Sequence, residues 1–399
     1  MRLRATLIAA ALLLAARAAQ AQPGPWQPDR LTEGWTVTPS MVVGMLWDSN
    51  VTVRQSADPN LEEWIGLINP RGEVDYNGRY TRFNAGWSGA FERYRRFDQL
   101  NALDQRARTS LKRTLSQRLS ADGRASYSHS PTTDRLELGT LPFISVGSTI
   151  ADAAGGIRLR MTRQTSLTAG YRFEDVSFDR TQQPQQAAFL NGGQSHTPTV
   201  SVTQSLSQHV TVGGEYQYQY AVLEGINNTF NIQDLLGQTT YQFSKNTSFA
   251  AGAGASHLTV SQTGTSVWGP AFRGSVQHKR EHLTLGAAYH RSFVPSFSFG
   301  GLTGNQDMSL SAAAPLMNGR LIVAGTTTYA RTEPVKELGL GFQLTSIWYT
   351  GSVGYQLQPW LRTEGFYRSM HQTSGGGNLD AGRTRIGIQF IVSKPVRIE

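Results

Sequence analysis

Few residues in this chain are suited to covalent or metal chemistry, and their spacing limits them further. None of the 399 residues is cysteine, which removes thiolate metal sites, cysteine nucleophiles and any disulfide framework. Eight histidines remain: His129, His196, His209, His257, His278, His282, His290 and His371. His129 with Asp134, and His196 beside Ser195, lie where a Ser/His/acid set could assemble. Such a set is defined by hydrogen-bond reach rather than sequence distance, but no G-x-S-x-G motif accompanies either. His278 and His282 have the spacing of a helical zinc pair, yet they flank a tight turn, where that spacing loses its meaning. Gly252 and Gly254 sit in an extended segment and residues 375–377 in a loop, so neither is a phosphate cradle. The reading is a protein without catalytic residues, metal ligands or cofactor, and not an enzyme.

What remains is charge, with 37 basic against 28 acidic residues. The first residues account for part of the excess. Arg2 and Arg4 precede an apolar run at 5–16 that is too short to span a bilayer as a helix. Ala19-Gln20-Ala21 then supplies a small-x-small cleavage pattern, so residues 1–21 are expected to be a secretory signal cut after Ala21. Without Arg2, Arg4 and Arg17 the balance is 34 against 28, or +6. No basic cluster is dense enough to imply nucleic acid as a partner.

The elements that position the charges are extended. In residues 210–222 the even positions are Val, Val, Gly, Tyr, Tyr, Tyr and Val, and the odd ones Thr, Gly, Glu, Gln, Gln and Ala. A strand sends these sets to opposite faces, one apolar and one polar. Leu167, Ala169, Tyr171 and Phe173 oppose Thr168, Gly170, Arg172 and Glu174 in the same way. So do Leu283, Leu285, Ala287 and Tyr289 against their neighbours, and Ile386, Ile388, Phe390 and Val392 against Arg385, Gly387 and Gln389. Eight short turns, such as Asn77-Gly78 and Asn318-Gly319, alternate with nine long polar loops. The result is about 18 strands, with a range of 16 to 20 because residues 35–47 and 338–348 alternate least cleanly.

One apolar stripe per strand, with no second layer to cover it, makes hydrocarbon its natural partner, despite a mean hydropathy of −0.33. The expected fold is all-β: a single transmembrane antiparallel up-and-down β-barrel over residues 35–393. Its turns would be short and periplasmic, its longer loops extracellular. Residues 22–34 are read as a short periplasmic segment and residues 394–399 as a C-terminal tail. The bases on the apolar parity are Arg93, Arg113, Arg291 and Arg331, each near a strand end, where charge costs least. Trp47, Trp64, Tyr127, Tyr220 and Tyr349 favour the same ends, as an interfacial girdle would.

The lumen parity collects a basic wall: Arg106, Arg108, Lys112, Arg124, Arg158, Arg160, Arg172, Arg273, Arg362, Arg368, Arg383 and Arg385. Seven acids share it: Glu73, Asp75, Glu92, Asp122, Glu174, Glu215 and Glu364. Twelve against seven leaves an excess of five and predicts a weak anion preference. The longest loop, residues 131–150, carries Asp134 and Glu137. Folded inward opposite the basic wall, it would form a constriction with a transverse field; the alternative is that the arginines form ladders with Glu92, Glu174 and loop carboxylates. Residues 22–33 are too few to plug so wide a barrel.

The C-terminal segment Arg385-Ile-Gly-Ile-Gln-Phe-Ile-Val resembles the closing-strand signal of outer-membrane barrels, with Gly387, Phe390 and Val392 at its key positions. Residues 39–51 (PSMVVGMLWDSNV), followed by Asn69-Pro70 and a hairpin around residues 75–80, are similar to a family of bacterial putative β-barrel porins, some members of which accompany exopolysaccharide loci. The resemblance implies a location in the Gram-negative outer membrane, contact with its lipid and lipopolysaccharide, and insertion by the barrel assembly machinery. With the unplugged lumen and its basic excess, the expected function is a passive channel for small or anionic solutes; the alternatives are a part of exopolysaccharide export or a structural or adhesive barrel with an occluded lumen.

Overall fold

A computed structural model describes residues 33–53, 61–133, 141–144, 146–179, 190–224, 228–297, 301–335, 343–375 and 380–398. The expected signal, residues 1–21, lies outside them. The strands are β1 (Gly34–Asp48), β2 (Glu63–Asn77), β3 (Thr81–Tyr94), β4 (Ala102–Thr114), β5 (Leu119–Ser130), β6 (Ser148–Arg160), β7 (Thr165–Phe178), β8 (Gly193–Ser205) and β9 (Val210–Leu223). They continue as β10 (Asn228–Ser244), β11 (Thr247–Val260), β12 (Ser266–Arg280), β13 (Leu283–Ser296), β14 (Gly301–Leu316), β15 (Leu321–Pro334), β16 (Leu344–Gln358), β17 (Leu361–Ser374), β18 (Asp380–Ser393) and a short β19 (Val396–Ile398).

Each strand pairs antiparallel with its chain neighbours, and β1 pairs with β18, Ser40–Asp48 running against Arg385–Ser393. That last ladder closes the sheet on itself, so the eighteen long strands form a barrel and none of them is left as an open edge. Residues 394–399 are not simply a tail. Pro395 interrupts the ladder, after which Val396–Ile398 pairs with Trp35–Val37 and lengthens the seam. At the turn between β14 and β15 the chain needs left-handed backbone, and Met317, Asn318 and Gly319 supply it with φ of 50°, 56° and 82°.

The alternation read from the sequence becomes two surfaces. Met41, Val43 and Met45 of β1, Ile386, Ile388 and Phe390 of β18, and Leu283 and Leu285 of β13 stand exposed on the outer surface, while Val42, Leu46, Arg383 and Arg385 between them are buried. Aromatic residues mark both rims of that surface: Trp35 packs on Tyr76 at 4.8 Å near the turns, and Trp268 stacks on His257 at 4.4 Å near the loops. β1 is apolar on both faces, because Val42 and Leu46 point inward, and this blurs its period in the sequence.

The inner surface is not uniformly polar. At the loop end, Ala221, Leu223, Phe230, Ile232, Leu258 and Val260 pack with Leu141 from the loop between β5 and β6. Across the bore, Phe143 of that loop packs with Trp348, Met370 and Ala381. A wide barrel therefore carries an apolar core inside its loop end.

Candidate functional site: the bore and its crossing loop

The connection between β5 and β6 enters the bore and is fastened to the far wall. Its two arms are tied at Thr133, whose Oγ1 donates to the Pro142 carbonyl at 2.6 Å and accepts from the Ile144 amide at 2.9 Å. Gln372 of β17, 1% exposed, holds the tip. Its Oε1 accepts from the Phe143 amide at 2.7 Å, and its Nε2 donates to the Leu141 carbonyl at 2.8 Å and to Ser346 Oγ at 2.9 Å. Phe143 stands edge-on to Trp348 at 5.4 Å. The anchor lies seven strands from β6 by the shorter way round the barrel, so the loop spans the bore. Asp134 and Glu137, the acids expected on this loop, lie outside the described residues.

Beside the anchor, a buried charge cluster bridges the seam. Asp48 of β1 is fully buried and receives Arg383 Nη2 at 2.6 Å and Arg385 Nε at 2.7 Å. Arg385 also reaches Glu92 of β3 at 2.9 Å, and Tyr94 donates to the same carboxylate at 3.0 Å. Bidentate guanidinium contacts of this kind satisfy charges that would otherwise be costly inside. Gly387, also on the inner face, is required by packing: a Cβ there would lie 2.6 Å from the Phe366 ring and 2.7 Å from the Met45 carbonyl. Phe390 and Val392 face outward, paired with Val43 and Met41.

Most of the remaining arginines form ladders. Arg106 reaches Asp104 at 3.3 Å, Arg108 reaches Glu73 at 3.2 Å, Arg273 reaches Glu215 at 2.7 Å and Arg362 reaches Glu364 at 2.5 Å. Arg172 is paired with Asp152 and Glu174, with Arg124 at 3.9 Å from the same Asp152. Arg368 lies over the Phe366 ring at 5.4 Å. Lys112, Arg158 and Arg160 differ: they are exposed, near the turn end of β4 and β6, and meet no carboxylate among the described residues. With Arg82 and Arg124 they give one side of the inner bore a basic surface, hollowed by a recess of about 540 Å³ that also takes in Asp75, Asn84 and Asp122.

Sequence parity undercounted the inward acids. Asp48, Glu63, Asp104, Asp152, Asp234 and Asp307 face the bore, as do the bases Arg71 and Arg82, so the wall is closer to neutral than an excess of five. Asp48, Glu63, Asp104 and Arg82 lie at strand ends, where alternation is weakest, whereas Asp152, Asp234 and Asp307 lie inside strands and follow from parity alone. The charges are also segregated. Asp307 of β14 lies across the ring from β5 and accepts from Asn305 Nδ2 at 2.6 Å, while Glu215 of β9 and Asp234 of β10 point inward three and four strands from β6. The histidines singled out earlier are outward or at turns: His129 bonds Thr149 at 3.0 Å, His196 bonds Tyr171 at 2.6 Å and His278 bonds Thr247 at 2.8 Å.

No family model matches the chain, and no curated protein matches it in sequence. Among solved structures it is similar to OccAB4 of Acinetobacter baumannii, with 10% identity, 93% of this chain and 100% of that one covered, and a TM-score of 0.45. It is similar to the outer membrane protein OpdK of Pseudomonas aeruginosa at 10% identity, covering 90% and 99%, with a TM-score of 0.43. For OccK2 (OpdF) of Pseudomonas aeruginosa in complex with glucuronate the values are 12%, 92% and 98%, and 0.44.

Proposed function

We propose that this chain is a passive channel of a Gram-negative outer membrane, narrowed by the loop between β5 and β6 and weakly selective for anions. The observation that carries this reading is the crossing loop anchored on Gln372 inside a barrel whose outer surface is apolar, a wide bore constricted from within. Anion preference rests on local charge rather than on the net count: among the described residues, Lys112, Arg158 and Arg160 meet no carboxylate on the turn side of β4 and β6. Export through the signal at residues 1–21 and insertion by machinery reading Gly387, Phe390 and Val392 belong to the same reading.

Purified protein in a planar bilayer tests it. The expected result is ohmic conductance with a reversal potential displaced toward anions, and displacement toward cations in Lys112→Glu/Arg158→Glu. A second reading, a structural barrel with an occluded lumen, is favoured by the apolar packing at the loop end, with Phe230, Ile232 and Leu258 at most 1% exposed. It predicts no conductance in the same bilayer. The inward aromatics Phe230 and Trp348 are buried in packed clusters rather than aligned along the bore, an arrangement unlike a track for sliding sugar chains.

A further inference from the structure

Five arginines sit on the outward parity, Arg93, Arg113, Arg280, Arg291 and Arg331, and the register brings Arg291 and Arg331 into one row across β14. Arg291 of β13 pairs with Gln306 of β14, which pairs with Arg331 of β15. All three face outward: Ala330 and Thr332 beside Arg331 are buried at 1%, and Phe272, the partner of Arg291 on β12, is exposed on the outer surface. The row below repeats the arrangement with Tyr289, Met308 and Tyr329, and the next with Ala287, Leu310 and Thr327. The two guanidiniums thus stand two strands apart, about 9.6 Å between backbones, directly above two tyrosines and an apolar surface.

Their own partners do not use them up. Arg291 meets no carboxylate among the described residues. Arg331 reaches Glu333 with Nη2 at 2.6 Å, but both side chains are 40% exposed, and a pair this open is weakly held. Guanidinium groups bind phosphate bidentately, and rings at the interface sit at headgroup level. We propose that Arg291, Gln306 and Arg331 form a site on the outer rim for the phosphate of a membrane lipid, whose acyl chains run down over Tyr289, Met308, Tyr329 and Leu310. The occupant is a lipid and not a free anion because the surface directly below the arginines is apolar and exposed, and only an amphiphile covers both. The inference rests on the membrane placement of the barrel, not on conduction. Arg113, outward at the turn-side rim with Thr81 and Ala121 beside it, has no guanidinium on either neighbouring strand at its row and serves as the control.

Native mass spectrometry of the detergent-solubilised barrel with diphosphoryl lipid A is the test, run on protein shown to be folded by its heat-modifiable migration. The expected result is retained lipid A, weakened about tenfold for each of Arg291→Gln and Arg331→Gln, the scale of one charge-assisted hydrogen bond, and unchanged in Arg113→Gln. Equal retention by the Arg291→Gln/Arg331→Gln double variant overturns the site. Equal retention of dephosphorylated lipid A overturns the role of phosphate. Displacement of lipid A by millimolar inorganic phosphate shows a free-anion site and overturns the lipid. Protein that needs no detergent to stay dispersed fails on membrane placement instead, which separates the two failures.

Discussion

Arg383 is the residue whose removal tells most about how the barrel is held shut. Its side chain is 1% exposed against a fully buried Asp48, and the pair joins the first long strand to the last. Removing one partner of a buried pair leaves the other charge unsatisfied, a loss of about 3–5 kcal/mol, whereas replacing both with apolar groups is often neutral. Arg383→Met is therefore expected to lower the temperature at which the folded band converts to the unfolded one in heat-modifiability gels. Asp48→Leu in the same background is expected to restore much of it. A coupled loss without recovery would mean that Arg383 acts through packing alone. Arg385 is shared between Asp48 and Glu92, so its loss leaves two carboxylates short and is expected to be the larger of the two.

Among the elements, the loop between β5 and β6 is where sequence and structure meet least evenly. Its length and its place after the fifth strand were legible, and so was the face of every strand around it, since period-two alternation needs only local chemistry. The anchor was not. Gln372 is one polar residue among several on β17, and only the closed ring brings it to Leu141 and Phe143, more than two hundred residues away in the chain. The apolar inner residues Phe230, Ile232 and Leu258 were equally hidden, because alternation reports which face a residue takes, not how deep in the bore it lies. Gln372→Leu keeps the volume and deletes three hydrogen bonds to groups that stay buried, at about 1–3 kcal/mol for each one left unmade. Single-channel recordings are expected to show larger current fluctuations as the loop leaves the far wall. An unchanged trace would make the apolar contacts of Phe143 and Trp348 the true anchor.

For the whole molecule the question is what covers the outer surface, and charge placed at two depths answers it. Ile388 lies midway along β18, exposed, between Met45 and Gly365; Val392 lies at the turn end of the same strand and the same face. If hydrocarbon covers this face, an arginine at 388 costs about 2–4 kcal/mol and one at 392 about 0–1, because near the rim the guanidinium reaches headgroups and water. If a protein layer covered it, both arginines would be buried against fixed side chains and the depth gradient would vanish. Urea titration of folding into lipid vesicles measures the difference directly. The expected result is Ile388→Arg destabilised well beyond Val392→Arg, and the gap should shrink in shorter-chain lipid, whose thinner core brings residue 388 nearer to water. No contact within the protein predicts that dependence on the lipid, so it isolates the solvent as the cause.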